Sequence, residues 1–380
     1  MRYRVGELVD SISKKCDFKT DKIIFLNTGD IEDGKIVNNN CYKISDLPGQ
    51  AKKKIKNGDI LFSEIRPKNK RYALVENIDE TNYVVSTKLM VLRNKDSKVL
   101  NMKYFYYFLT SPKMLRYLQS EAEARSGTFP QITFKDNIYP ITINLPSLAE
   151  QNKIVKNIDS IVNKIKNNQK INTNLNSLLE CVFNNYYHHK NDTVSTKLEL
   201  ISEVRSANRI FAKEYRNEGI PFLRGKEISL LSQGNSPTDT LFISIEKYKK
   251  LKNIPKAKDI LVTSVGTIGN IYQVENFRLP FYYKDGNIIQ ITPHKGFENY
   301  IYLWLNSKFG DKEIVSATIG STQKALTISA IKKFKLYILN NHELQRFNHI
   351  VNPLIKQIQQ NHEENDFLQD LKSTLLKRYF

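Results

Sequence analysis

Two stretches of this sequence repeat one another at helical spacing, and the repeat limits what the chain can fold into. In the first, Ile154, Ile158, Ile161, Ile165, Asn168, Asn172, Leu175, Leu179, Val182 and Tyr186 step by four and three residues without interruption. That spacing keeps side chains on the contact seam between two helices. Moving on by 193 positions, the step from Asn168 to Asn361, gives Phe347, Val351, Leu354, Ile358, Asn361, Asn365, Leu368, Lys372, Leu375 and Tyr379. Either helix alone is equally well read as the cover of an unrelated core. Both seams, however, carry two asparagines at the same steps. A buried amide costs stability but fixes register, because a slipped pairing sets it against leucine. The prediction is therefore two long helices that partner one another as an antiparallel coiled coil. Lys372 interrupts the second seam, with Leu371 beside it as a substitute. Proline is tolerated in a first turn or at a kink, so Pro353 predicts a second helix that begins at Asn352 after a short separate turn.

The rest of the chain repeats more weakly. Asp59-Ile60-Leu61 recurs as Asp259-Ile260-Leu261, Leu8-Val9 as Leu200-Ile201, and Ser126-Gly127-Thr128 with Ile132-Thr133 as Gly320-Ser321-Thr322 with Leu326-Thr327. The order is globular, helix, globular, helix, with boundaries at 1–150, 151–190, 191–340 and 341–380. Short β-rich runs bounded by Gly, Pro, Asn or Asp mark both globular parts: Lys22 to Leu26, Ile60 to Ile65 and Val84 to Leu92, then Leu241 to Ile245, Ile260 to Val265 and Asn287 to Ile291. Aromatic helical stretches follow at Lys103 to Leu118 and Tyr300 to Asn306. The predicted class is α+β, with two pseudo-repeated globular domains separated by the paired helices.

Chemistry-bearing motifs are scarce. There is no phosphate loop, Gly266-Thr-Ile-Gly269 is too short for a dinucleotide fingerprint, and no Asn-Pro-Pro-Tyr segment occurs. His188-His189, His342, His349 and His362 have no cysteines at metal-site spacing and read as surface residues. Asp59 and Asp259 each precede an apolar strand and read as turn residues rather than nuclease carboxylates. No catalytic or metal residue is assigned. Cys16, Cys41 and Cys181 are odd in number and far apart, which argues against a disulfide framework and fits a reducing compartment. Neither a signal-type apolar region nor an 18-residue apolar stretch is present, so the chain is expected to be cytoplasmic, with no membrane partner.

Charge is more telling. Lys and Arg number 58 against 39 Asp and Glu, a net charge of +19 spread over both halves, so a polyanion is the first partner to consider. In the first globular part Lys52, Lys53 and Lys54, then Arg66, Lys68, Lys70 and Arg71, form dense basic segments. In the second, Arg205, Asn208 and Arg209, then Arg224 and Lys226, with Lys247 to Lys252, do the same. Lys and Arg supply phosphate contacts, whereas Arg, Asn and Gln read base edges. Any one cluster is more simply a solvated surface. Their recurrence in both copies favours double-stranded DNA for the ensemble.

This layout resembles the specificity subunit of type I restriction-modification systems over nearly the whole chain. Three features carry the resemblance. Leu145-Pro-Ser-Leu-Ala-Glu-Gln-Asn-Lys-Ile-Val leads into a helix that ends Leu178-Leu-Glu-Cys-Val-Phe, similar to the family's central region. Gly58-Asp-Ile-Leu pairs with Lys258-Asp-Ile-Leu. A polar turn precedes the last strand of each domain, Ser126-Gly-Thr128 and Gly320-Ser321-Thr322-Gln323-Lys324. The second copy of the Leu-Pro element, Asn340-Asn-His-Glu-Leu-Gln345, keeps the glutamine and lacks the proline. The resemblance implies two target-recognition domains, each reading one half of a split asymmetric site, with Ser126, Thr128, Ser321, Thr322, Gln323 and Lys324 among the DNA-contacting positions. It implies two methyltransferase subunits and motor-endonuclease (restriction and translocase) subunits as partners. S-adenosylmethionine, ATP and Mg2+ would then be bound by those partners and no cofactor by this chain, which is non-catalytic by itself.

Arithmetic supports a split site. The seam from Ile154 to Tyr186 is roughly 48 Å long at about 1.5 Å per residue, on the order of 14 base pairs at about 3.4 Å each. The competing reading is a stand-alone two-domain nucleic-acid-binding regulator without obligate partners. Off-seam apolar residues (Val155, Val162, Leu178, Phe183, Tyr187, Ile350, Ile355) are expected to face outward and favour docked subunits.

Overall fold

A computed structural model of the chain describes residues 1–15, 21–125, 129–188, 194–237, 239–318 and 325–380. It forms two compact units, Met1–Lys164 with Leu368–Phe380, and Ile165–Phe367. In the first unit, one four-stranded sheet runs in the order Val9–Ser11, Leu89–Asn94, Ile60–Ser63, Tyr72–Leu74, and a second in the order Cys41–Lys43, Lys22–Leu26, Tyr83–Ser86, Ala51–Lys54. Lys22–Leu26 and Tyr83–Ser86 are parallel, with Phe25 opposite Val84. The predicted run Val84 to Leu92 is thus two strands in two sheets, divided at Thr87-Lys88. The predicted aromatic helix is likewise two, Met102–Leu109 and Pro112–Arg125, because Pro112 opens the second where it would break a continuous one.

The second unit repeats this plan. Ser202–Ser206, Ile288–Pro293, Ile260–Thr263 and Ile271–Gln273 form its four-stranded sheet. Leu241–Ile243, Ile220–Leu223 and Tyr282–Tyr283 form its smaller one, again with one parallel pair, Phe222 opposite Tyr282. Leu241 to Ile245 therefore ends as a strand at Ile243, and Ser244 caps the helix Ile245–Lys249. The Asp-Ile-Leu repeat folds the same way twice. The Asp59 carboxylate accepts from the Lys56 N–H at 2.7 Å, and Asp259 accepts from the Lys256 N–H at 2.8 Å. Each turn passes through one left-handed residue, Gly58 (φ 89°) and Lys258 (φ 73°). Both aspartates are buried turn residues; Asp59 also takes a bidentate bond from Arg93, with both distances 2.7 Å.

The long helices are Leu148–His188 and Asn341–Tyr379. In the second unit Asn361 Nδ2 donates to Asn172 Oδ1 at 2.6 Å, Asn168 Nδ2 donates to Asn365 Oδ1 at 3.0 Å, and Phe183 meets Phe347. In the first, Leu376 shares a core with Ile154, Val155 and Ile158. Numbers rise along one helix as they fall along the other, so the pair is an antiparallel coiled coil. Ile158, Ile161, Ile165, Asn168, Asn172, Leu179, Val351, Ile358, Asn361 and Asn365 are buried, whereas Leu175, Leu354, Leu368 and Leu375 are half-buried. Beyond Leu368 the buried side chain is Leu376 rather than Leu375. A straight helix drifts about 20° per heptad from a strict 3.5 repeat, so over the four heptads from Phe347 to Leu375 the inward face moves by about 80°, most of the roughly 100° between successive residues.

Two expectations are corrected. The second helix runs unbroken through Pro353 instead of starting at Asn352. A proline inside a helix loses its own N–H bond to the carbonyl four residues back, and its ring crowds that carbonyl. Pro353 and His349 lie on the exposed face, while Phe347, Val351, Ile355 and Ile358 hold the helix down on both sides. Of the off-seam apolar residues, Val155 is buried in the first unit's core with half-buried Val162 packed against that core, Phe183, Tyr187 and Ile355 are buried in the second unit's core, and Leu178 and Ile350 are exposed. Within each unit, residues of a long helix meet both the partner helix and the globular core of that unit.

Gln151 explains the Leu-Pro-x-Leu-x-Glu-Gln element. It is fully buried, its Nε2 donates to the Val99 and Pro146 carbonyls, both at 3.0 Å, and its Oε1 accepts from the Asn101 N–H at 2.8 Å. It ties the start of the long helix to the start of Met102–Leu109. Ser147 and Asn340 occupy equivalent caps, which aligns Gln151 with Leu344. Gln345, matched to it from sequence, is exposed.

Candidate nucleic-acid interface

The cations singled out from the sequence behave differently from one another. Lys52 is exposed and Lys54 half-buried, but Lys53 points inward, its ammonium donating to the carbonyls of Thr87 and Leu89 at 3.0 and 2.8 Å. Burial pushes its pKa down. The signal was present as period two: Ala51, Lys53 and Ile55 share the buried face.

Arg66 to Arg71 form a braced loop over the short turn Pro67–Asn69. Arg66 and Lys70 flank it in left-handed conformations, with φ 46° and 54°. Such geometry costs a non-glycine residue on the order of 1 kcal/mol and persists only where the surroundings over-determine it. Here the Arg66 N–H donates to the Pro130 carbonyl, the Lys68 N–H to buried Gln119, and Lys70's carbonyl accepts from the Asp33 N–H. Lys68 pairs with Glu123, Lys70 with Asp33, and Arg71 donates to the Ile31 carbonyl at 2.9 Å. Arg66 is exposed and its guanidinium has no partner among the described residues. The corresponding loop of the second unit holds Gly266 (φ 79°) and Gly269 (φ 86°) instead.

In that unit Arg205 bonds Glu203 and Thr292 at 2.8 and 3.0 Å, leaving a buried Nε without a partner. Arg224 forks onto fully buried Glu227 at 2.6 and 3.1 Å. Both side chains are thus engaged internally. Asn208 is exposed, although its Oδ1 accepts from the Lys252 N–H. Arg209 and Lys226 are exposed, and Arg209 lies 5.3 Å over the ring of Phe211. The polar turns Ser126–Thr128 and Ser321–Lys324 lie outside the described residues. The strand ends that deliver them do not: Ile65 bridges Gln131 and Val265 bridges Ala325, the same pairing in both copies.

Among the described residues no three His, Cys, Asp or Glu side chains converge as a metal site, and no helix is long and apolar enough to cross a membrane.

Comparison with known proteins places the chain. A specificity subunit from Haemophilus influenzae, of the type I restriction enzyme HindI, is 38% identical over 232 residues, 61% of this chain. The match spans about half, 49%, of that relative's length. The specificity subunit of the type I restriction enzyme MjaIX from Methanocaldococcus jannaschii is 25% identical over 73% of this chain and 67% of its own. In fold the chain is similar to the crystal structure of a type I restriction-modification S subunit from M. genitalium, with TM-score 0.59 and 18% identity over 100% of this chain and 96% of that one. The family described as type I restriction modification DNA specificity domain matches twice, at residues 1–177 and 191–369, and each match covers one globular repeat with most of its long helix: the chain belongs to that family and carries its domain in two copies.

Proposed function

We propose that this chain is the DNA sequence-recognition subunit of a type I restriction-modification complex, in which each globular domain reads one half of a bipartite, asymmetric site. The observation that carries the proposal is the duplication. Two domains whose four-stranded sheets share one strand order each bring an exposed cation, Arg66 next to the Ile65–Gln131 bridge in one and Arg209 over the Phe211 ring in the other. A net charge of +19 supplies the attraction to the phosphate backbone. Family membership favours this over a stand-alone regulator.

In this reading two methyltransferase subunits and the restriction and translocase subunits dock on the chain in the cytoplasm, and they bind S-adenosylmethionine, ATP and Mg2+. The chain itself positions DNA and performs no bond-making step. The test is selection of bound sites from random double-stranded DNA by the chain assembled with its methyltransferase partners. Two specified blocks around an unspecified gap are expected. Arg66→Ala should weaken binding about tenfold or more through the block read by the first domain, the scale of one lost base-specific bond. A single contiguous block, or no sequence preference, would refute the proposal.

A further inference from the structure

The two copies solve one mechanical problem with the same kind of triad. The glutamate that follows the Asp-Ile-Leu hairpin in each unit, Glu76 and Glu275, is joined to an aspartate on a long helix through a single cation. In the first unit Lys103 Nζ lies 3.2 Å from Glu76 and 3.0 Å from Asp159 of Leu148–His188. In the second, Arg278 lies 2.8 Å from Glu275 and 2.7 Å from Asp366 of Asn341–Tyr379. The cations come from different places, the helix Met102–Leu109 and the turn Asn276–Arg278, so the recurrence is of geometry and not of sequence. Position 103 itself aligns with Asn299, which donates to Asn352, the counterpart of Asp159, at 2.7 Å. The second unit thus has the triad and a neutral amide contact as well.

The two triads differ in solvation. Glu275 and Arg278 are 5% and 12% exposed, Asp366 is 29% exposed, and His362 adds a further contact to Glu275 at 2.7 Å. Glu76, Lys103 and Asp159 are 48%, 30% and 24% exposed. Salt screens exposed pairs far more than buried ones. Burial disfavours the Lys103 ammonium, yet its bonds to Asp159 and Glu76 outweigh that and raise its pKa. Tyr107 donates to the same Asp159 at 2.5 Å, which keeps the carboxylate in place.

We propose that Lys103 is a positioning residue: by bridging Glu76 and Asp159 it sets the angle between the first globular domain and the long-helix segment of its own unit, and through that angle the half-site spacing the subunit accepts. The proposal rests on the bipartite reading above. The second domain is held by its buried Glu275–Arg278 pair with the added His362 contact, and the first is the adjustable one.

The experiment compares bound-site selection from a library with random gap length for complexes carrying the wild-type chain, Lys103→Met and Lys103→Arg. The readout is the ratio of the preferred gap to gaps one base pair shorter or longer, which is independent of overall affinity. Lys103→Met keeps the apolar stem and removes the charge, and should lower that ratio about threefold, the scale of a part-exposed ion pair. Lys103→Arg can reach both carboxylates with a fork and should keep or sharpen it. For the wild type the ratio should also fall as ionic strength rises from about 0.1 M to about 0.5 M, and for Lys103→Met it should not. An unchanged ratio in Lys103→Met, or a loss equal at every gap, overturns the assignment. Should Lys103→Met fail to fold, a ratio for Lys103→Arg below wild type overturns it instead. Absence of any two-block site in the wild type would fail the functional proposal and leave a different signature.

Discussion

The asparagine pair Asn172 and Asn361 should show strong energetic coupling. Both are buried in the seam of the second unit, where Asn361 Nδ2 donates to Asn172 Oδ1 at 2.6 Å while its own Oδ1 accepts from Gln357 Nε2 at 3.0 Å. Asn172→Leu leaves the Asn361 amide donor buried without its partner, and an unmade bond of this kind costs about 1–3 kcal/mol. Asn361→Leu strands the Asn172 oxygen and frees Gln357, at similar cost. Replacing both with leucine restores an apolar seam and should be neutral or stabilising to within about 1 kcal/mol. The two single costs sum to about 2–6 kcal/mol, so with a near-neutral double variant the coupling is on the order of 2 kcal/mol or more. Trp304, the sole tryptophan, is fully buried in the same unit and donates to Tyr187 of the long helix at 3.2 Å. Urea unfolding followed by its fluorescence isolates this unit in a chain that need not unfold in one step. A double variant as destabilised as the two single ones together would refute the reasoning.

Two further outcomes are expected. Burial raises the Glu227 carboxyl's pKa, but the bonds from Arg224 outweigh it and hold the group below its usual 4.5. Its stabilisation is therefore complete above about pH 4.5 and is lost as pH falls through the depressed value. The drop in Trp304-monitored urea midpoint between about pH 5 and pH 3 should be smaller in Glu227→Gln than in the wild type, and equal drops would exclude the effect. Lys258→Gly relieves a left-handed lysine at the position where the first copy has Gly58, so it should be neutral or stabilising by about 0.5 kcal/mol, while Gly58→Ala should destabilise by about 1 kcal/mol. Thermal unfolding of the two variants, with Lys258→Gly below wild type, would contradict this.

The helices were legible because a 4,3 repeat can hardly arise without a seam, and the asparagines because an amide is conspicuous in one. The Asp-Ile-Leu turns were legible as punctuation. The interface was not, because a cation in sequence does not reveal what it touches: Arg205 and Arg224 are held by Glu203 and Glu227, and Lys53 lies inside. Pro353 misled because its cost depends on which helix face it occupies. The Glu76, Lys103 and Asp159 triad is assembled from residues far apart in the chain, with no periodicity to mark it.

Finally, the first unit is discontinuous, and this orders events during synthesis. Its core is completed by Leu376, and Phe380 packs its ring against Tyr104 and Phe108. The second unit is one uninterrupted segment, Ile165–Phe367, that falls in sequence between the two segments of the first. A ribosome adding about 5–20 residues per second takes on the order of 10–40 s to cross that segment. For that interval Tyr104, Phe108, Ile154 and Ile158 await their cover. The domain made first is therefore finished last, and the early apolar surface is the part of the nascent chain most in need of a chaperone.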